Sequence, residues 1–438
     1  MHNNRRSLLL GPAFALLLVI GRESPAAAVV TEGASTLADC LAQAEQTNPD
    51  ILREKEIIAE NIGGYRFSRG ALLPQIDATM SYQRYDEQLP SKKAIFGSSL
   101  NDYYSDVAIK QRIFSGGKYF AQMSAAKLST EAERQRLEQL RRDVAMSVTK
   151  AYYDQLRAQY ALNIQKSVLE KLKQQRIVAQ LLYNGGKTTV VDVLKIQTNE
   201  SAQEDAVRDA ANEVYVKALA LGQAIGVRNP VEAVFVMPET NSTVHFEKEL
   251  SEEELASNPE IRYAGSIIEK NAWEIKSYKA EHYPDFYLKG AYFMEDRNMF
   301  PGNANWYAGA YVSLPLYRGD SLRAQVDKAK ARQNQAKETA RKTMISLYTR
   351  YASALSTVLN RKDRIATSQA TLALAKETLT ASELRYSGGK ISVLDLLDAQ
   401  NLWSGAYMAH INAVFDYLIS ATELKSIWPD SIKGALLK

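Results

Sequence analysis

Few residues of this 438-residue chain have a type and spacing that could support chemistry, and two aspartates near the C-terminal end are the clearest. Asp395 and Asp398 lie three residues apart, so on a helix they share one face. Two carboxylates this close concentrate negative charge on that face. An acidic residue just inside a helix is also a favourable partner for the helix dipole, so a purely structural role stays open for either one alone.

A related motif in the first half of the chain carries a different charge. Asp192 aligns with Asp395, but Lys195 stands where Asp398 aligns, so the acidic pair belongs to one half only. Each motif follows a pair of glycines: Gly185, Gly186, Gly388 and Gly389. Because glycine accepts a positive φ without steric cost, each pair predicts a reversal between two helices.

Other patterns that could indicate catalysis or cofactor binding lack the neighbouring residues that these functions need. The segment Gly186–Thr188 resembles the end of a phosphate-binding loop, but the required upstream glycine would fall on Leu181 and no strand precedes it. Three histidines follow the N-terminal region, without the spacing of a metal site: His245, His282 and His410. We therefore expect no cofactor, no metal and no enzymatic activity.

The elements that position these residues occur twice, because the chain is a tandem duplication. Asn48 to Ile51 recurs as Asn258 to Ile261 at an offset of 210, and Leu181 to Lys187 recurs as Leu384 to Lys390 at an offset of 203. The difference of seven residues falls between residues 82 and 114, which predicts a longer loop in the first half. A period this long indicates a duplicated domain, since solenoid repeats have about 20–50 residues.

Each half has the same predicted order of helix, two strands, long helix and helix. The predicted elements are 37–69, 75–86, 103–113, 117–182 and 187–226 in the first half, and 252–280, 285–294, 306–316, 319–385 and 391–427 in the second. Apolar residues spaced 3, 4, 4 and 3 mark one face of each long helix: Leu137, Leu140, Val144, Val148 and Ala151, then Met344, Leu347, Tyr351, Leu355 and Val358. At about 1.5 Å per residue each long helix extends roughly 100 Å, and the shorter helices together match that length. Such helices bury their apolar faces against each other, as in coiled coils.

This pattern divides the chain into five regions. Basic residues at Arg5 and Arg6, an apolar stretch and a small-residue cleavage site predict a signal peptide. The regions are a signal peptide at 1–28, a first structural repeat at 29–232, a linker at 233–248, a second structural repeat at 249–430 and a C-terminal tail at 431–438. Removing the signal peptide lowers the net charge from +4 to +2, which gives no reason to expect a nucleic-acid partner.

The strands are the only predicted elements that could enter a membrane. No apolar run after the signal peptide is long enough for a transmembrane helix. Each strand has about the 9–11 residues needed to cross an outer membrane, and aromatic residues lie near the strand ends: Tyr82, Tyr85, Tyr103, Tyr104, Tyr292, Phe293, Trp306 and Tyr307. Because the smallest membrane barrels have about eight strands, four strands cannot close alone and several chains must contribute. Two soluble hairpins packed on the helices are the alternative.

The duplicated order and the segment from Tyr386 to Ala399 resemble the TolC-like outer-membrane efflux and secretion channels. The segment from Tyr183 to Asp192 and the prolines before the strands, Pro74 and Pro284, are similar to that family as well. The resemblance implies an α+β membrane protein: a homotrimer with a twelve-stranded β-barrel in outer-membrane lipid, continued by a long periplasmic α-helical coiled-coil barrel. It also implies a periplasmic adaptor (membrane fusion) protein and an inner-membrane pump as partners. The chain would then serve a tripartite efflux or type I secretion system as a passive exit duct.

The same resemblance assigns roles to the two turns. Asp395 and Asp398 would form a pore gate at the narrow entrance of the tunnel. The turns would contact the adaptor through six residues: Tyr183, Gly185, Gly186, Tyr386, Gly388 and Gly389. Ile391 departs from the family, because it aligns with an arginine that helps lock the closed entrance in the best-known member.

Two other classes of protein share parts of this pattern. A periplasmic adaptor is also a long coiled-coil protein without its own membrane barrel, but adaptors usually pair one hairpin with compact β-domains. An outer-membrane enzyme with a small barrel would need at least about eight strands in one chain. Neither the exported substrate nor the particular pump and adaptor can be inferred from these residues.

Overall fold

The computed structural model describes residues 34–86, 100–236, 256–296 and 304–427. The predicted signal peptide, the C-terminal tail and most of the predicted linker lie outside these ranges, so the division of the chain into regions stays a prediction. Within the described ranges the chain forms seven helices and four strands.

The two halves share the order of helix, hairpin, long helix and helix, and within the described ranges the first half begins with one additional helix. The first half has α1 (Leu37–Thr47), α2 (Pro49–Gly70), β1 (Gln75–Arg84), β2 (Asn101–Phe114), α3 (Lys118–Asn184) and α4 (Val190–Ile225). The second half has α5 (Pro259–Ala280), β3 (Asp285–Asp296), β4 (Ala304–Ser313), α6 (Ser321–Ser387) and α7 (Val393–Ile427). The duplicated order of helix, hairpin, long helix and helix is therefore confirmed. The last strand ends three residues before the predicted residue 316, because Pro315 has no N–H to donate to a sheet.

Two buried asparagines hold the same position in each half and tie its first helices to its last. Asn48 caps the N-terminus of α2 and donates from Nδ2 to the carbonyl oxygen of Ala224 at 3.0 Å, near the end of α4. Asn258 caps α5 and donates from Nδ2 to the carbonyl oxygen of Ile427 at 3.0 Å, at the end of α7. Each cap is followed by a proline, which is favoured at the first helical position. Equivalent side chains thus satisfy equivalent helix ends.

The four strands form one antiparallel sheet in the order β1-β2-β3-β4. Strands β2 and β3 join the two halves, with Ile109 opposite Gly290. Strands β1 and β4 are the edges of this sheet in the described part of the chain. Large apolar side chains on the sheet are exposed: Ile76, Met80, Val107, Ile109 and Trp306. This sheet is therefore not covered by a core of its own chain within the described ranges.

The helices form a layer with a defined lateral order. Helix α3 contacts α2, α4, α5 and α7, and α6 contacts α5 and α7. Next to the sheet the order is therefore α2-α3-α5-α6, and towards the far ends of the long helices it is α4-α3-α7-α6. Helices α2 and α4 lie on one flank of the layer and α6 lies on the other.

The predicted apolar faces of the long helices pack into the core with one exception. All five marked residues of α3 belong to a cluster with α1, α4 and α7, in which Phe415 is fully buried. On α6, four of the marked residues are buried, but Met344 is exposed. Among the described residues, no helix is both long and apolar enough to cross a membrane.

Candidate functional site: the paired helical turns

The turn between α3 and α4 ends its helix with a Schellman motif. Gly186 has a φ of +71° and donates to the carbonyl oxygen of Tyr183 at 2.9 Å. The N–H of Lys187 reaches back to the carbonyl oxygen of Leu182 at 2.8 Å. These two bonds satisfy carbonyl groups that the end of α3 would leave unpaired.

The turn between α6 and α7 repeats this motif. Gly389 has a φ of +68° and donates to the carbonyl oxygen of Tyr386 at 2.9 Å, while Lys390 donates to the carbonyl oxygen of Arg385 at 2.9 Å. The backbone geometry of the two turns is therefore nearly the same, and both place a glycine where an L side chain is strained.

Only the second glycine of each pair needs to be glycine. Gly185 and Gly388 both have a φ of −82°, which any residue adopts. A methyl group at Gly185 would come no closer than 3.4 Å to a neighbouring atom, and one at Gly388 no closer than 3.6 Å. The left-handed conformation of Gly186 and Gly389 thus carries the reversal.

A capping box begins the helix after each turn. Thr189 caps α4, its hydroxyl accepts from the N–H of Asp192 at 3.3 Å, and its own N–H donates back to that carboxylate at 3.4 Å. The hydroxyl of Thr188 donates to the same carboxylate oxygen at 2.7 Å. The hydrogen bond from Thr188 is the largest cause of a lowered pKa for Asp192; burial opposes it, and the hydrogen bonds from Thr189 add to the lowering.

The predicted gate residues differ in their contacts. Asp395 forms the capping box of α7, because its carboxylate accepts from the N–H of Ser392 at 3.1 Å and from the Ser392 hydroxyl at 2.8 Å. Asp398 is exposed one turn later and has no hydrogen bond or ion pair to any residue that the structure describes. Asp395 therefore has a structural role in α7, whereas the described residues give Asp398 none.

One hydrophobic cluster brings the two turns together. It unites the end of α3, the start of α4, the end of α6 and the start of α7, and its buried members are Ala179, Val193, Ile196, Leu379, Tyr386, Val393, Leu396 and Ala399. Ile391 packs against this cluster. At the position where the resemblance aligns an arginine, the chain thus has an apolar side chain that packs against the cluster.

The two aligned tyrosines have different surroundings. Tyr386 is 4% exposed within the cluster, whereas Tyr183 is 42% exposed. The hydroxyl oxygen of Tyr386 is buried without a hydrogen-bond partner among the described residues. Burial, and to a lesser degree the negative charge of Asp192, raises the pKa of the Tyr386 phenol. Its side chain therefore supports the turns from within.

Ion pairs between helices hold the cluster in place. Lys171 of α3 binds Glu383 of α6 at 2.8 Å, and Arg176 of α3 binds Glu200 of α4 at 2.8 Å. The buried amide of Gln400 donates to the carbonyl oxygen of Val168 at 3.2 Å, which ties α7 to α3. Within the described ranges no group of three or more histidine, cysteine, aspartate or glutamate residues is placed to hold a metal.

Three features of this site were not predicted from the sequence. The caps Thr189 and Ser392 carry a recognisable signal, a hydroxyl residue three positions before an acid. The burial of Tyr386 has no such signal, because the aligned Tyr183 has the same side chain and is exposed.

The chain is similar to characterised bacterial proteins, in two of the three comparisons below over most of its length. It is 23% identical over 412 residues to outer membrane protein TolC of Vibrio cholerae, an alignment that covers 90% of each protein. It is also 25% identical over 167 residues to nodulation protein T of Rhizobium leguminosarum bv. trifolii, where the alignment covers 37% of this chain and only 36% of that relative. Its fold matches the CmeC outer membrane channel of Campylobacter jejuni with a TM-score of 0.78, at 19% identity, over 90% of this chain and 85% of the other.

The family of outer membrane efflux proteins matches residues 40–227 and 250–428, which is most of both halves. The two matched segments separate where the predicted linker lies. This chain belongs to the outer membrane efflux protein family.

Proposed function

We propose that three copies of this chain close into one outer-membrane exit duct whose periplasmic turns meet an adaptor protein. The observation that carries the proposal is that the sheet and the helix layer are open on the same two flanks. Helix α2 leads into the edge strand β1, and the edge strand β4 leads into α6. One flank of the chain therefore offers β1, α2 and α4, and the other offers β4 and α6.

The chemistry of these flanks favours a second copy as their partner. An exposed sheet edge in lipid would leave backbone groups unpaired, which membrane proteins avoid. Large apolar side chains on α4 and α6 are also exposed: Val191, Leu194, Tyr215, Leu219, Ile345, Tyr348, Leu359 and Leu374. A head-to-tail contact of β1 and α4 with β4 and α6 of the next copy covers both features. Three copies of four strands give the twelve-stranded barrel expected from the resemblance.

Cysteine cross-linking at the sheet edges tests this assembly. The variant Ala78→Cys/Ala308→Cys places one thiol in the middle of β1 and one in the middle of β4, on the same face of the sheet. We expect covalent dimers and trimers in outer membranes and no larger species. The natural cysteine interferes little, because burial of Cys40 raises the pKa of its thiol to about 11.

A matched control places both cysteines inside the sheet. Ala108 and Ala291 are directly opposite each other on β2 and β3, so Ala108→Cys/Ala291→Cys should link only within one chain. Monomers alone from both variants would contradict the closed ring. Ladders beyond the trimer from the edge variant would contradict the number three.

The paired turns are the part of the duct that we assign to the adaptor and, through it, to an inner-membrane pump. Exposed apolar side chains surround the turns on aligned positions of the two halves: Leu181, Val191, Leu384 and Leu394. Such a patch at one end of a protein is typical of a contact with another protein. The substitution Gly389→Trp should abolish export while the trimer forms normally, since the strands lie about 100 Å away along α6. Gly388→Ala is the control, and loss of the trimer in Gly389→Trp would show that the glycine serves only folding.

The gate is the third component of the proposal. Asp395 and Asp398 lie on exposed positions in the first turns of α7, so three copies would bring six carboxylates to one level of the passage. A ring of this kind favours cations and binds multivalent cations most strongly.

A further inference from the structure

Near the ends of the helices that lead into the sheet, a groove of about 700 Å³ runs between α2, α3 and α5. We call it the basic groove and define it by Tyr65, Arg66, Arg69, Lys127 and Trp273. Its volume is in the range of sites that hold small ligands. None of the features assigned to the duct makes use of it.

The charge of the basic groove is predominantly positive. Arg66, Arg69 and Lys127 are exposed and form no ion pair with any residue that the structure describes. Of the remaining charged residues that line it, Arg134 pairs with Glu131 at 3.4 Å, which leaves Glu269 as the opposing acid. Three cationic side chains around one concave surface are suited to a phosphate group.

The duplication repeats this charge. At the offsets that align the two halves, Arg66, Arg69 and Lys127 correspond to three further basic residues: Lys276, Lys279 and Lys330. Arg69 and Lys279 lie in the last turns of α2 and α5, where a cation also suits the helix dipole, and Lys330 pairs with Asp327 at 2.9 Å. Arg66 and Lys127 have no ion pair with any residue that the structure describes, so their charges are available to a ligand.

Aromatic side chains at the same level indicate a boundary between lipid and water. Phe67, in the last turn of α2, is 86% exposed, and Phe120, in the first turn of α3, is also exposed. The ring of Phe120 meets Trp273 edge to face at 5.9 Å, and Lys276 lies over the indole of Trp273 at 3.7 Å. Aromatic rings beside basic side chains are typical of the interface of a bilayer.

The distance to the sheet is suited to a lipid headgroup. Arg69 is the last residue but one of α2, and β1 begins six residues after it. Trp273 precedes the end of α5 by seven residues, or about 10 Å. The headgroup layer extends about 5–7 Å beyond the hydrocarbon core, and arginine and lysine side chains reach towards it from helix ends. A phosphate in this layer is therefore within reach of Arg66 and Arg69.

We propose that the basic groove binds the phosphate headgroup of an anionic phospholipid from the membrane leaflet nearest the helices. This inference rests on the proposed insertion of the sheet in the outer membrane. The Arg66 and Arg69 guanidinium groups and the Lys127 ammonium group bind the phosphate, and Phe67, in the last turn of α2, contacts the adjoining glycerol and acyl region. Such a lipid would fix α2 against α3 and α5 where the duct leaves the membrane.

Native mass spectrometry of the detergent-purified assembly, titrated with phosphatidylglycerol, tests the proposal. The variant Arg66→Gln/Arg69→Gln/Lys127→Gln should lose three tightly bound lipids per trimer, one for each groove. The control Lys362→Gln/Arg364→Gln/Lys376→Gln removes the same charge from exposed positions of α6 that lie about 60 Å or more from the sheet, and should keep all of them. Diacylglycerol, which lacks the phosphate, should not bind in the groove.

Four results would overturn the proposal. One is an unchanged number of bound lipids in the triple variant, and a second is displacement of the lipid by millimolar inorganic phosphate, which would make the groove a site for free anions. A third is dissociation of the trimer in the triple variant at full lipid occupancy, which would place these residues in a contact between subunits. Retention of diacylglycerol in place of phosphatidylglycerol is the fourth.

Channel conductance of the same preparations separates these results from a failure of the proposed duct, because a chain that forms no channel would show no conductance in any variant.

Discussion

The two turns have almost the same backbone but different side-chain surroundings. Gly186 and Gly389 have φ values of +71° and +68°, and each turn is closed by the same pair of backbone hydrogen bonds. In the first turn the carboxylate of Asp192 is held by two threonines and followed by Lys195. In the second turn Asp395 is followed by Asp398, which has no partner among the residues that the structure describes. Duplication kept the scaffold that reverses the chain, and the side chains it presents diverged.

The two halves therefore present different side chains at their turns. The second half contributes the buried tyrosine and the acidic pair, whereas the first half contributes an exposed tyrosine and a single acid followed by a lysine. A passage-lining role for the second turn and an outer role for the first would account for both contrasts.

Truncation of the two tyrosines should give the largest difference. Tyr386→Ala empties a buried position and should destabilise the tip by about 3–5 kcal/mol, whereas Tyr183→Ala should change stability by less than about 0.5 kcal/mol. Hydrogen exchange of the last turns of α3 and α6 in the assembled protein measures both. Equal protection in the two variants would refute the difference in burial.

The hydroxyl group of Tyr386 allows a finer comparison. Because its oxygen is buried without a partner in the described part of the chain, Tyr386→Phe should leave stability unchanged or raise it slightly. A clear loss of protection would show that this hydroxyl group gains a hydrogen bond in the assembly.

Alanine substitutions in the glycine pairs should have intermediate effects that are alike in the two turns. Gly186→Ala and Gly389→Ala force a side chain into the left-handed region and should each cost about 1–2 kcal/mol. Gly185→Ala and Gly388→Ala should be neutral or stabilise by up to about 1 kcal/mol, since their backbone already suits alanine. Thermal unfolding and hydrogen exchange report these changes, and a cost at the first glycine of either pair would refute the assigned geometry.

Much of the fold followed from local sequence signals. The break at Asn48, the glycine pairs and the spacing of apolar residues on α3 and α6 act over a few residues, so they placed the elements within a few positions. The duplication doubled each signal. The early end of β4 before Pro315 and the exposure of Met344 depend on hydrogen bonding and neighbours that periodicity does not report.

The candidate site was less predictable, because it depends on contacts between distant segments. Two tyrosines aligned by the repeat differ in burial only through their neighbours on other helices. The roles of Asp395 and Asp398 came from resemblance, and they stay a prediction.

The acid dependence of the first turn should be the smallest effect. Because the folded pKa of Asp192 is lowered, its contribution to stability is fully present above the unfolded pKa of about 3.9 and is lost as the pH falls through the lower folded value. Thr188→Val removes the main cause of the shift and should weaken this dependence. Hydrogen exchange at the start of α4 between about pH 5 and pH 2.5 measures it. An identical acid profile in the variant would show that Thr188 does not hold the carboxylate.

Planar-bilayer recording of the reconstituted channel tests most directly whether the second turn lines the passage. The double variant Asp395→Asn/Asp398→Asn removes six carboxylates from the proposed trimer, and Asp192→Asn removes three from the aligned position of the first turn. The account predicts that the double variant loses most of its cation preference and its block by trivalent cations, while the Asp192→Asn channel keeps both. Unchanged selectivity and block in the double variant would contradict it, and so would an equal loss in the Asp192→Asn channel.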